Sequence, residues 1–329
     1  MRTCFSTGEY GNILRINSIT SDIMTYENDT QSYKFSRIEL CPMCKTSPAY
    51  FRELGNRLNQ SQGFHPRKKS GSLTRIVKCN NCGLIFSNPQ PLPINIQDHY
   101  AVPPDSYWEK EFVNASATID GQIVSKLKKE SADFSSLKVL DIGAGLGKHM
   151  KGFEHLGFDV YGIEPSETFF DKAVELFHFD SGKFKCASIE TAEFPSDFFD
   201  FIYFGAVLEH LPDPSLAIQQ AMKWLKPGGY TYIQVPSSKW LIAKLINFVY
   251  WIKRDGYVTN LSPMHPPYHL YEFSIESFKK NAIISGYEID SYTYSVCSTF
   301  MPKSFDWILK PVMRWTNTGM ELYVWLRKK

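Results

Sequence analysis

From residue 137 onward, short apolar runs alternate with segments whose apolar residues recur every three or four positions. LKVLDIG, FDVYGIEP, FKCASIE, DFIYFGAV and YTYIQVP are short runs that predict buried strands. LGKHMKGFEHLG, SETFFDKAVELFHF and PSLAIQQAMKWLKPGG carry the helical period instead. Ser166 is placed to cap the second helix, and a Pro-Gly-Gly turn closes the third. SIESFKKNAIISG predicts another helix, and YEIDSYTYS and ELYVWLRKK two last strands. Such alternation over short connections predicts an α/β fold, a mainly parallel seven-stranded sheet with helices on both faces. Ligands of such sheets bind beyond the carboxyl ends of the strands.

The first 136 residues lack this rhythm. Residues 1–36 are polar and weakly patterned and read as an N-terminal arm or a small β-element. Residues 37–93 hold two cysteine pairs and end in the NPQPLP punctuation; residues 94–136 read as a helical lead-in to a domain spanning 137–329. With 36 Lys and Arg against 34 Asp and Glu, the net charge is +2, which gives no electrostatic case for nucleic acid. Seven cysteines, an odd number, and an N-terminus without a long apolar stretch argue against a secreted disulfide framework. The most apolar run, WLIAKLINFVYWI at 240–252, is short for a membrane span and contains Lys244 and Asn247. These features point to a cytoplasmic protein.

The stretch VLDIGAGLGKHM, residues 139–150, narrows the chemistry. A phosphate-binding P-loop needs GxxxxGK followed by Ser or Thr, but Ile142 and His149 stand at two of those positions. A dinucleotide fingerprint needs GxGxxG, and here the third glycine arrives one residue early. An acid followed by Gly143, Gly145 and Gly147 resembles the first motif of the class I S-adenosylmethionine (SAM)-dependent methyltransferases, of a small-molecule branch, whose fold is Rossmann-like. The resemblance runs over residues 137–295. Its most specific block is FDFIYFGAVLEHLPDPSLAIQQAMKWLKPGGYTYIQVP. It implies SAM as cofactor, with the glycines admitting its amino-acid end and Asp141 orienting that end. Glu164, closing YGIEPS, would accept from the ribose hydroxyls. Ser188 and Ile189, in CASIETAEF, would lie against the adenine, although many relatives carry Asp where Ser188 stands. Phe204, at the end of the fourth strand, completes the implied cofactor set.

Methyl transfer needs alignment and exclusion of water, and a base only when the acceptor is weakly acidic. His210 in the EHLPDP turn and His269 in HLYEFS are the candidate catalytic residues; each could equally brace its loop. His149 reads as facing solvent or the cofactor entrance. His99 with Tyr100 and Tyr107 with Trp108 could cap the methionine end or simply pack.

Cys41-Pro-Met-Cys44 and Cys79-Asn-Asn-Cys82-Gly83 form two knuckles that can offer four thiolates to a structural zinc. A redox disulfide or an iron–sulfur site are the alternatives. CxxCGLIFSNPQP also resembles the N-terminal zinc ribbon attached to some bacterial methyltransferases of sugar and surface-polysaccharide pathways. The basic HPRKK, 65–69, falls in the loop between the knuckles.

Two insertions, 237–273 and 296–321, read as lids. They are rich in aromatics, Trp240, Phe248, Tyr250, Trp251 and Tyr257 in the first, Phe300, Phe305, Trp307 and Trp315 in the second. Such rings suit sugars or flat metabolites, and with nearby cations could rest on an anionic membrane. The expected function is methylation of a small molecule, a nucleotide- or lipid-linked sugar or related secondary metabolite, at oxygen or carbon. The alternatives are a protein or RNA methyltransferase that docks through the ribbon, and a non-catalytic scaffold. The sequence leaves the oligomeric state open.

Overall fold

The computed structural model describes residues 24–28, 31–58, 73–95, 118–131, 133–265, 267–297, 299 and 301–329. β1 (Met24–Asn28) and β2 (Gln31–Ser36) form an antiparallel hairpin. β3 (Phe51–Leu58), β4 (Leu73–Cys79) and β5 (Ile85–Ser87) form an antiparallel sheet around the cysteine knuckles. β6 (Gln90–Pro93) returns to pair with β2, so the region read as an arm ends in strand. Within the helical lead-in, α1 (Gly121–Glu130) is described, capped by the Asp120 side chain. His99, Tyr100, Tyr107, Trp108 and the HPRKK loop lie outside the described residues.

The main sheet is built from β7 (Lys138–Ile142), β8 (Asp159–Glu164), β9 (Phe184–Cys186), β10 (Phe199–Gly205) and β11 (Leu225–Pro236). β12 (Tyr271–Glu272) leaves it, and β13 (Tyr287–Ser295) and β14 (Glu321–Lys328) rejoin it. The strand order is β13-β14-β11-β10-β7-β8-β9, with β14 antiparallel to both neighbours and the rest parallel. This is the expected Rossmann-like α/β architecture. α2 (Lys148–His155), α3 (Glu167–Phe177) and α4 (Pro214–Trp224) are the connecting helices; Ser166 caps α3 as expected and Asp213 caps α4. α5 (Leu241–Lys253) and α7 (Asp306–Thr316) occupy the two insertions, with α6 (Ile275–Ser285) between them.

Two local expectations change. The third strand stops at Cys186, because the backbone turns: Ala192 N donates to Ser188 O (2.9 Å) and Ser188 N to Thr191 Oγ1 (3.1 Å). The Pro-Gly-Gly segment lies inside β11 as a bulge rather than ahead of it. Leu225 pairs with Phe199 and Tyr230 with Phe201, so four residues protrude, and Gly228 takes a φ of 77° that suits glycine.

Strand alternation splits the core. Val139, Phe201 and Tyr203 join α1 and α2 on one face, while Leu140, Ile202 and Phe204 face α4 and α6. The second cluster also contains Cys41, Met43, Cys79, Cys82, Leu84 and Phe86, so the knuckles and the sheet share one core. β12 pairs with β5, Tyr271 opposite Phe86, and extends the knuckle sheet with a strand from the core. Cys82 O accepts from Ser274 Oγ (2.7 Å) and Ser277 Oγ (3.0 Å), the residues of the α6 capping box. Among the described residues no helix is long and apolar enough to cross a membrane.

Candidate functional site

A cleft of about 1420 Å³ opens at the carboxyl ends of β7, β8, β10 and β11. Its floor is the turn after β7. Gly143 N and Ala144 N both donate to Ile163 O (2.9 and 3.0 Å), which folds the chain back over β8. Gly143, Gly145 and Gly147 have φ of 67°, 54° and 72°, the left-handed region. A Cβ on Gly143 would sit 2.6 Å from Val207 Cγ2, and one on Gly147 2.4 Å from Phe179 Cε2. The glycines therefore serve both conformation and close approach.

Glu164 closes the turn from the other side. Its Oε2 accepts from Gly145 N and its Oε1 from Ser166 N, each at 2.8 Å. Burial raises its pKa to about 7 against the pull of these two bonds. Each oxygen retains acceptor capacity for a ligand hydroxyl.

Gly143, Gly145, Glu164, Ser188, Ile189, His210 and His269 all line the cleft. Asp141, Gly147 and Phe204 do not reach its wall. Phe204 is fully buried among the residues facing α4, and Gly147 stands behind the turn as the N-cap of α2. Asp141, on the opposite pleat from Leu140, is buried under α2 and takes a hydrogen bond from the Met150 backbone. Its Oδ2 is buried without a partner, and burial, then Glu164, pushes its pKa well up.

His149 also lines the cleft, with its Nε2 3.4 Å from the Tyr203 hydroxyl, which donates to Gln234 Oε1 (3.0 Å). Burial lowers its pKa to about 4.

The mouth holds a cluster the sequence only half revealed. His210 and His269 lie with ring centroids 5.1 Å apart, though 58 residues separate them in the chain. Glu209 lies between them, its Oε1 3.9 Å from His210 Nε2 and 3.8 Å from His269 Nε2. These distances are too long for direct hydrogen bonds. One ligating atom from each residue falls within 4.8 Å of the others, a span that could take a substrate oxygen or a cation. Glu209 is 1% exposed, its Oε2 has no partner, and burial raises its pKa to about 8. Burial lowers His210 to about 4 and takes His269 well down, so both rings are neutral at pH 7. Backbone contacts set the arrangement: Leu270 N donates to Glu209 O (2.8 Å), and His210 Nδ1 lies 3.3 Å from Tyr268 O. Glu209 and Gln234 are the site residues that sequence reasoning missed. The only signal for Glu209 was its place beside His210, since a glutamate at a strand end ordinarily faces water.

Away from the cleft, the four cysteines converge as their spacing suggested. Sγ atoms are 3.5 Å apart in Cys41–Cys82 and 3.6 Å apart in Cys44–Cys79, and all four lie within 4.8 Å of one another. A tetrahedral zinc with about 2.3 Å bonds to sulfur needs sulfurs roughly 3.8 Å apart, which these positions meet with little movement. The four thiols are coupled: their mutual contacts draw Cys44 and Cys79 below the ordinary thiol range and, with burial, push Cys41 and Cys82 above it, so a metal would have to hold the last two as thiolates. Thiolates are the form that binds metal.

The strand order, the glycine turn and an acid at the end of the second strand define the class of Rossmann-like α/β domains built as SAM-dependent methyltransferases are. Residues 113–292 match the family model described as a methyltransferase domain, and the chain belongs to that family. It is 31% identical over 110 residues to a ubiquinone biosynthesis O-methyltransferase of Bradyrhizobium sp. (strain ORS 278), across 32% of this chain and 42% of that protein. It is 32% identical over 143 residues to phosphoethanolamine N-methyltransferase 3 of Arabidopsis thaliana, across 39% of this chain and 28% of that protein. The chain thus spans less than half the length of either relative. Among solved structures, a SAM-dependent methyltransferase from Mesorhizobium loti superposes with a TM-score of 0.44 at 16% identity, over 64% of this chain and 99% of that one.

Proposed function

We propose that the protein transfers a methyl group from SAM to a small-molecule acceptor. The observation that carries this reading is one cleft walled by the glycine turn and Glu164 at one end and by His210 and His269 at the other. The residues fit the cofactor: Gly143 and Gly145 line the cleft without side chains of their own, and the buried carboxyl of Glu164 faces it. Bound SAM supplies an electrophilic methyl on a sulfonium, so the protein need only align an acceptor and exclude water. Glu164 would hold the ribose, with Ser188 and Ile189 beside the adenine. Asp141 would act through the turn, from beneath it.

In this reading a neutral imidazole at position 210 or 269 takes the acceptor's proton, and Glu209, protonated at neutral pH, stabilises the imidazolium that forms once the carboxyl is ionised above about pH 8. The acceptor class proposed is a nucleotide- or lipid-linked sugar or a related metabolite, methylated at oxygen or carbon. The four cysteines are assigned to a structural zinc. Its knuckles are fastened to Ser274, Ser277 and, through Met43 O, to Asn281 (3.0 Å), which favours a brace within this chain over a free docking module for RNA or protein. Incubation with SAM and candidate sugar nucleotides, read by mass spectrometry for the gain of one methylene, tests the activity. Absence of SAM binding by calorimetry would overturn it.

A further inference from the structure

α5 and α7 each turn an apolar stripe outward. In α5, Ile242 and Ala243 face the core, while Leu245, Phe248, Trp251 and Ile252 are exposed on one side at helical spacing. In α7, Met313 is the buried contact, and Trp307, Ile308, Val312 and Trp315 form the exposed face. Exposure reaches 73% at Trp251, 74% at Trp307 and 85% at Trp315, and Phe248 stacks on Trp251 with centroids 5.7 Å apart. Soluble surfaces seldom carry several such rings together unless something covers them.

Charge says what the cover is. Lys244, Lys253 and Arg254 accompany α5, and Lys303, Lys310 and Arg314 accompany α7. The acids within or next to these two helices are Asp255 and Asp306, and Lys310 occupies Asp306 at 3.0 Å. Exposed tryptophans ringed by cations match the boundary between acyl chains and anionic headgroups. A symmetric second copy would instead bring these cations against their own counterparts.

Position ties the surface to the cleft. Pro236, at the end of β11, pairs with Glu321, and Ser295, at the end of β13, pairs with the same residue. Leu241 N donates to Thr318 O (3.1 Å), which fixes the start of α5 to the segment after α7. Both helices therefore leave the carboxyl end of the parallel strands, where Gln234 lines the cleft.

We infer that α5 and α7 dock the protein on an anionic phospholipid surface, and that the acceptor enters the cleft as an amphiphile whose apolar part stays in the bilayer. The second half rests on the methyl-transfer reading; the docking does not.

Flotation of the full chain with vesicles tests the docking apart from any transfer. The protein should float with vesicles of phosphatidylglycerol and phosphatidylcholine, far less with phosphatidylcholine alone, and less at high salt. The double variant Trp307→Ala/Trp315→Ala should weaken partition about tenfold or more, and Lys303→Glu/Arg314→Glu should abolish the preference for anionic vesicles. Ile283→Ala, on α6 and 82% exposed, should leave binding unchanged. Unaltered SAM affinity in each variant shows that it is folded. Failure to float with either vesicle overturns the inference. So does flotation indifferent to the tryptophan pair, or a dimer by light scattering that the tryptophan variants dissolve while vesicles stay unbound. If docking holds and no acceptor is ever methylated, the fault lies with the reaction and not with the surface.

Discussion

Glu209 is a costly side chain to fold. With its carboxyl pushed up to about 8 by burial, the folded protein keeps a proton that the unfolded chain has lost at neutral pH. Stability therefore falls as pH rises from the ordinary carboxylate range through about 8, and the penalty is full above that. Glu209→Gln should remove a penalty on the order of 5 kcal/mol, so that its melting temperature exceeds that of the parent at alkaline pH and the two converge at low pH. Above about pH 8, where Glu209 is ionised, turnover should drop by roughly 100-fold in the same variant if the carboxylate supports a histidine base. A more stable protein with full turnover would remove Glu209 from the reaction. The histidines run the other way: depressed toward about 4, His210 contributes stability that is lost as pH falls below the ordinary histidine range. His210→Gln and His269→Gln should each lower turnover about 100-fold with little change in SAM affinity, and near-normal turnover in both would leave alignment alone as the mechanism. Glu164→Ala, by contrast, should weaken SAM binding by about 1–3 kcal/mol, measurable by calorimetry, if Glu164 is the ribose acceptor proposed above. Of these residues, Glu164, His210 and His269 were legible from motif position. Glu209 was not, because only the meeting of two distant loops buries it.

At the scale of elements, the turn from β7 into α2 is the strictest requirement. Gly143→Ala places a Cβ in the left-handed region and against Val207, so it should cost about 1–2 kcal/mol for the backbone alone, with more for the clash. Shortening the neighbour tests the geometry: Gly143→Ala/Val207→Ala should recover part of the loss, and SAM affinity should recover with it. A double variant no better than the sum of its parts would mean that Val207 is not the obstacle. This turn could be read from the chain because glycine spacing is a local property. The early end of β9 and the bulge in β11 were not legible, since each depends on which neighbouring strand the backbone meets. The opposite pleats of Leu140 and Asp141 follow from alternation alone, but which pleat faces the cofactor does not.

The whole molecule couples its two ends. Cys82 O holds the α6 cap, β12 pairs with β5, and Tyr271, in that strand, donates to Pro212 O (2.7 Å) just beyond His210. Leu270, next to His269, is bonded to Glu209. Both candidate histidines thus hang on segments tied to the knuckle sheet, and the knuckles lie in the same core as the parallel sheet. Cys79→Ser should lose zinc by elemental analysis and lower the melting temperature as a single cooperative transition, without a separate early melt of residues 37–93. Turnover should suffer before SAM affinity, because the glycine turn and Glu164 lie on β7 and β8, away from β12. Full metal-free stability, or two resolved transitions, would contradict this coupling.

What the sequence by itself determined is the set of features written in local period and spacing. The alternation of strand and helix, the glycines after the first strand, the acid ending the second and the two cysteine pairs each depend on residues within a few positions of one another. What only the tertiary structure decided is burial. It placed Glu209 between two histidines, turned Asp141 beneath α2 and set β12 against β5. It also left three tryptophans of α5 and α7 facing outward. The physical reason is that periodicity tells which residues share a face, whereas the cost of a buried carboxylate or an exposed ring depends on what the rest of the chain brings to cover it.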